Sequence, residues 1–110
     1  MITHISIKTQ NIINDICKKE NNDKMIDEYK YFVKQVVKRL KKSIKKNEFI
    51  YNKFDKEYMD LISENDIVKY NQIEATNKLR TIYYSKVLYD NNKIIMLENM
   101  LNEFIKNKQI

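Results

Sequence analysis

Few residues of this chain carry side chains capable of bond chemistry. His4 is the sole histidine and Cys17 the sole cysteine. A zinc site needs several His or Cys ligands, so one chain with one of each cannot assemble one from the common donors. Cys17 as a nucleophile needs a base beside it, and no serine has a histidine within sequence reach other than His4. Glu57, Asp60 and Glu64 fall at i, i+3 and i+7 and share a helical face. The carboxylate metal sites of helical bundles also draw on Glu-x-x-His pairs, which are absent here, so this trio reads as a solvated acidic patch. The expectation is a protein that is not an enzyme, with no catalytic residues, no cofactor and no metal.

The remaining chemistry is charge. Residues 34–46 hold seven of the 21 Lys/Arg and no acid, while the chain as a whole is +6. Outside that segment 14 basic residues face 15 acidic ones, a sum of −1. At 100° per residue, Val33, Val36, Val37, Leu40 and Ile44 take one helix face. Lys34, Lys38, Lys42 and Lys45 take the opposite one, with Lys41 and Lys46 beside them. Tyr31 precedes this strip, and Phe49 and Lys53 come after it. The candidate partner or nucleic-acid contacts are therefore Tyr31, Lys34, Lys38, Lys41, Lys42, Lys45, Lys46, Phe49 and Lys53. A secondary set is Lys78, Arg80, Tyr84 and Lys86, with Tyr84 expected to point away from the apolar stripe.

Three partners suit a basic strip. Clustered charge beside aromatics fits nucleic acid, DNA or RNA, through stacking and phosphate contact. Nineteen lysines against two arginines favour phosphate contact over base readout. An acidic protein or nucleoprotein surface fits equally well. An anionic membrane fits less well, because the apolar face looks committed to helix packing. No apolar run approaches the ~18 residues a membrane span requires. A lone cysteine suits a reducing cytoplasm. Seventeen Ile and fourteen Asn beside the lysines also match an AT-rich coding sequence, a style of composition that phage, virus and mobile-element accessory proteins share. The expected function is a non-enzymatic binding or inhibitor-type protein docking through its lysine face. The alternative is a sequence-nonspecific nucleic-acid binder.

The elements that position this strip must be helical. The chain has no glycine and no proline, which removes the usual residues for primed hairpin turns and phosphate-cradling loops. One all-α domain over residues 1–110 is expected. Residues 1–8 read as an extended or frayed lead-in. Thr9 then caps a short helix reaching Lys19, with Ile12, Ile13, Ile16 and Cys17 inward. Asn21–Asp23 is a break, and Asp23 caps the next helix.

From Ile26 to Ile62 the apolar positions keep within an arc of roughly 140°. The phase survives Asn47, which predicts one helix of about 60 Å stopping at Ser63–Asp66. Leu79, Tyr83, Val87, Ile94, Leu97, Leu101 and Phe104 form a second stripe with coiled-coil spacing, interrupted only by Asp90. The architecture predicted is a short N-terminal helix and two long antiparallel helices. An arc that wide exceeds a two-stranded seam, so completion by homodimerisation is expected. Breaks at Asn47 and Asp90–Asn92 would instead give a compact five-helix bundle.

Overall fold

A computed structural model describes residues 5–18, 22–64 and 67–108. Three α-helices account for nearly all of them: α1 (Ile7–Cys17), α2 (Asn22–Ser63) and α3 (Tyr70–Lys108), with a 3-10 turn at Ile67–Lys69 before α3. There is no strand among the described residues. The two long helices run antiparallel, because Ser43 of α2 meets Asp90 of α3 while Asp55 meets Arg80.

α2 continues through Asn47 and α3 through Asp90–Asn92, which rules out the five-helix alternative. The reason lies in the polar residues themselves. The Ser43 hydroxyl donates to Asp90 Oδ2 at 2.9 Å, and Asn47 Nδ2 donates back to Ser43 Oγ at 3.4 Å. Each polar intruder in the apolar stripes thus has a partner. Neither helix has to break to satisfy it.

The N-terminal boundaries differ from expectation. Ser6, not Thr9, caps α1: its Oγ accepts from the Thr9 backbone N–H at 3.2 Å and its hydroxyl donates to Thr9 Oγ1 at 2.9 Å. Ile7 and Lys8, read as lead-in, are therefore helical. Asp23 lies inside the first turn of α2, where its charge favours the helix dipole. At the other end of α2 the Ser63 hydroxyl donates to the Asp60 carbonyl, occupying one of the acceptors a helix end leaves open. The lead-in before residue 5, the end of α1 at Lys19, the break at Asn21 and the stop at Asn65–Asp66 lie outside the described residues, as does His4.

The chain divides into two compact units, Met1–Leu40 with Asn91–Ile110 and Lys41–Asp90. The first packs α1 against the starting half of α2 and the closing half of α3. Its core is Ile13, Ile16, Met25, Tyr29, Val33, Val37, Ile94 and Leu97. Tyr29 also meets Phe104 with ring centroids 4.9 Å apart. The second is a two-helix hairpin whose buried side chains are Ile44 and Thr76. It is held by ring and ion contacts: Phe54 on Tyr83, Tyr51 against Tyr84, and Arg80 bonded to Asp55 at 2.9 Å.

Candidate functional site

The lysines of α2 sit where the helical period puts them. Tyr31, Lys34 and Lys38 in the first unit are exposed, as are Lys41, Lys42, Lys45, Lys46, Phe49 and Lys53 in the second. The two aromatics are the informative members. Tyr31 is 66% exposed and Phe49 73%, so neither ring is tied up in the core. The ion pairs among the described residues include Glu64–Lys69, Glu74–Lys78 and Asp55–Arg80, and none of these draws on a lysine of the 34–46 segment. Like charges one turn apart repel on a helix. The segment tolerates this because every one of its cations reaches water.

The secondary set is built differently. Arg80 is a packing residue: its guanidinium bonds Asp55 and Asn77 and lies 3.9 Å from the centre of the Tyr58 ring. Tyr84 reaches across to Tyr51 on α2, centroids 5.6 Å apart, while remaining half exposed. Lys86 covers the Tyr83 ring at 4.7 Å, and exposed Lys78 pairs with Glu74 at 3.9 Å. Arg80 and Tyr84 thus tie α3 to α2, whereas Lys78 and Lys86 contact only residues of α3 itself. Glu57, Asp60 and Glu64 are all exposed.

A groove of about 740 Å³ in the first unit has no counterpart in the sequence pattern. Ile13, Cys17, Tyr29, Met96, Met100 and Phe104 are among its lining residues. It forms where α1 lies beside the outer side of α3, a juxtaposition no spacing within either helix encodes. Burial there pushes the Cys17 thiol above its ordinary value, with the Lys108 charge opposing. The Tyr29 hydroxyl is pushed up by burial and by Cys17. Both groups are thus held neutral, and Cys17 behaves as a small apolar side chain.

Among the described residues no group of three or more His, Cys, Asp or Glu could hold a metal ion. No helix there is long and apolar enough to cross a membrane. No protein-family model, no curated protein and no solved structure matches the chain.

Proposed function

We propose that this chain is a non-enzymatic binding protein that docks through the exposed lysines of α2 on the acidic surface of a protein or nucleoprotein. The observation that carries the reading is seven basic residues in thirteen, all of them exposed. Tyr31 and Phe49 supply apolar contacts at the two ends of the strip. The composition suits an accessory or inhibitor protein of a phage, virus or mobile element, working in the cytoplasm of the producing or host cell. We take the working form to be a homodimer, because the apolar stripe of α2 is wider than one partner helix covers.

The second reading, a sequence-nonspecific nucleic-acid binder, draws on the same two exposed rings, which would stack on unpaired bases. The nineteen-to-two lysine excess places it second, since arginine is the better ligand for phosphate and base together.

The test is capture of partners from a host lysate with and without nuclease, repeated with the Lys34→Gln, Lys38→Gln, Lys42→Gln, Lys45→Gln variant. The expected result is a nuclease-resistant partner lost from the variant, whose melting temperature is unchanged or slightly raised. Binding by the intact protein should weaken with salt, as exposed charge pairs do within a Debye length of about 10 Å at 0.1 M. A partner that survives the four substitutions at every salt concentration would overturn the docking face. One that disappears with nuclease would move the assignment to nucleic acid.

A further inference from the structure

Both broad faces of the two-helix unit carry uncovered apolar side chains, Ile62, Tyr84 and Leu88 among them on one, and the opposite face is the one bordered by a polarised row of charges. The Phe54–Tyr83 stack marks that face, while Tyr51–Tyr84 and Asp55–Arg80 mark the other. Ile50 and Leu61 lie four before and seven after Phe54, and so share its side of α2. All three are only partly buried. On α3 the same side carries Leu79 and Ile82, which are 40% and 48% exposed. In the first unit α1 supplies a third helix; the described residues of 41–90 contain none.

Charge says what covers this face. Lys46, Lys53, Glu57 and Glu64 fall within about 40° of one another at the helical increment, along the edge beside Ile50 and Leu61. All four are exposed. The edge is basic in its first half and acidic in its second. A helix polarised this way is complementary to an antiparallel copy of itself. Its charges pair as Lys46 with the partner's Glu64 and Lys53 with the partner's Glu57, since both pairs of positions are symmetric about residue 55.

We infer that a second copy of this chain covers the face, as an antiparallel α2–α2 contact with its two-fold axis at the level of residue 55 along the helix. The α3 side agrees independently. Asp55 bonds Arg80 and Phe54 stacks on Tyr83, so an axis at residue 55 also passes close to Leu79 and Ile82. These two side chains then meet the partner's Ile82 and Leu79, closing a four-helix arrangement over the exposed apolar surface. Lys78, the cation nearest the axis on that edge, is already paired with Glu74.

This inference rests on the homodimer reading; it assigns Lys46 and Lys53 of the basic strip to the dimer edge and leaves Lys34, Lys38, Lys42 and Lys45 for docking. Its test is the concentration dependence of mass, by light scattering of the full chain, with far-UV circular dichroism to verify folding. The wild type should be a dimer at micromolar concentration. The K46E/K53E variant makes the edge uniformly acidic and should dissociate about tenfold or more readily, because like charges brought together across an interface are strongly disfavoured. Adding E57K/E64K to it reverses the polarity and should return the dissociation constant to within about threefold of wild type. A monomeric wild type would overturn the dimer itself. A K46E/K53E variant that associates as the wild type does would place the interface elsewhere. A dissociated variant that stays helical but is not rescued by the swap would overturn the pairing. Lys34, Lys38, Lys42 and Lys45, the docking lysines tested above, are unchanged in every variant, and the mass of the chain alone reads the dimer whatever the docking partner.

Discussion

The two units share their long helices and differ by one short one. Among the described residues, eight of the nine buried apolar ones lie in the unit that contains α1, and one, Ile44, lies in the hairpin. The exposed large apolar residues divide the other way: Ile7, Tyr31 and Ile95 in the first unit, nine in the second. The stripes do not change character between the units. Phe54, Tyr83 and Leu79 are as apolar as Val33, Val37 and Leu97. What differs is a third surface to bury them against, because two helices in contact cover only a narrow seam of each other. Eleven residues of α1 turn the same amphipathic pattern into a core.

Truncation is the strongest way to break that comparison. Leu97→Ala removes a side chain that is 1% exposed and should cost about 2–5 kcal/mol in chemical denaturation. Leu79→Ala removes the same atoms from a 40% exposed position. Below the concentration of self-association it should cost no more than about 1 kcal/mol, because little area is lost. Equal losses at the two sites would mean that the hairpin is as well covered as the three-helix unit.

A smaller effect is expected at the polar cluster that replaces apolar packing in the hairpin. Asp90 is half-buried and accepts the Ser43 hydroxyl. Asp90→Leu should stabilise by about 0.5–1 kcal/mol or change the association state, since a polar seam residue trades stability for register. A loss of about 1 kcal/mol would mean instead that the hydrogen bond from Ser43 outweighs the apolar gain at this position.

The smallest effect concerns pH and sharpens the comparison from the first unit's side. Burial raises both the Cys17 thiol and the Tyr29 hydroxyl. The folded chain therefore holds these protons more tightly than the unfolded one. Their contribution is complete below a thiol's ordinary value near 9.0 and is lost as pH rises through the raised values. Stability should decline on that alkaline side, and Cys17→Ala should flatten the decline without changing the neutral-pH behaviour. A slope that Cys17→Ala leaves unaltered would assign the loss to other groups.

The antiparallel pair of long helices was legible because periodicity is a property of one strand of sequence. The phase kept across Asn47 already implied continuity. The Ser43–Asp90 bond that makes it tolerable joins residues 47 apart and could not be read. Met25 shows the limit in the opposite sense. It is 2% exposed and falls inside the arc traced from Ile26, between Phe32 and Val36, but it precedes the residue from which that stripe was counted. Leu79 lies on its stripe and is exposed, because two helices in contact cover only a narrow seam of each other. The lysine strip was legible as composition. The groove beside Cys17 was not, since it depends on where α1 docks. The N-cap slipped from Thr9 to Ser6 because two hydroxyl residues three apart both suit that role, and here they bond each other.

The hairpin order of the contacts carries a consequence for how the chain folds. Arg80 and Asp55 are 25 residues apart, whereas Tyr29 and Phe104 are separated by 75. Closing the longer loop first costs about 1 kcal/mol more in chain entropy, from (3/2)RT ln 3. Zipping outward from the turn near Ser63 is therefore the less costly route. Yet the segment that closes first has, among its described residues, one buried apolar side chain, and the stabilisation of the core arrives only when α1 and the outer halves of α2 and α3 come together. The rate-limiting ensemble must then extend far along both helices before it is stable. Substitutions near the turn should slow folding by nearly all the stability they remove, and those at Val33, Val37, Ile94 and Leu97, which remove more, should slow it further.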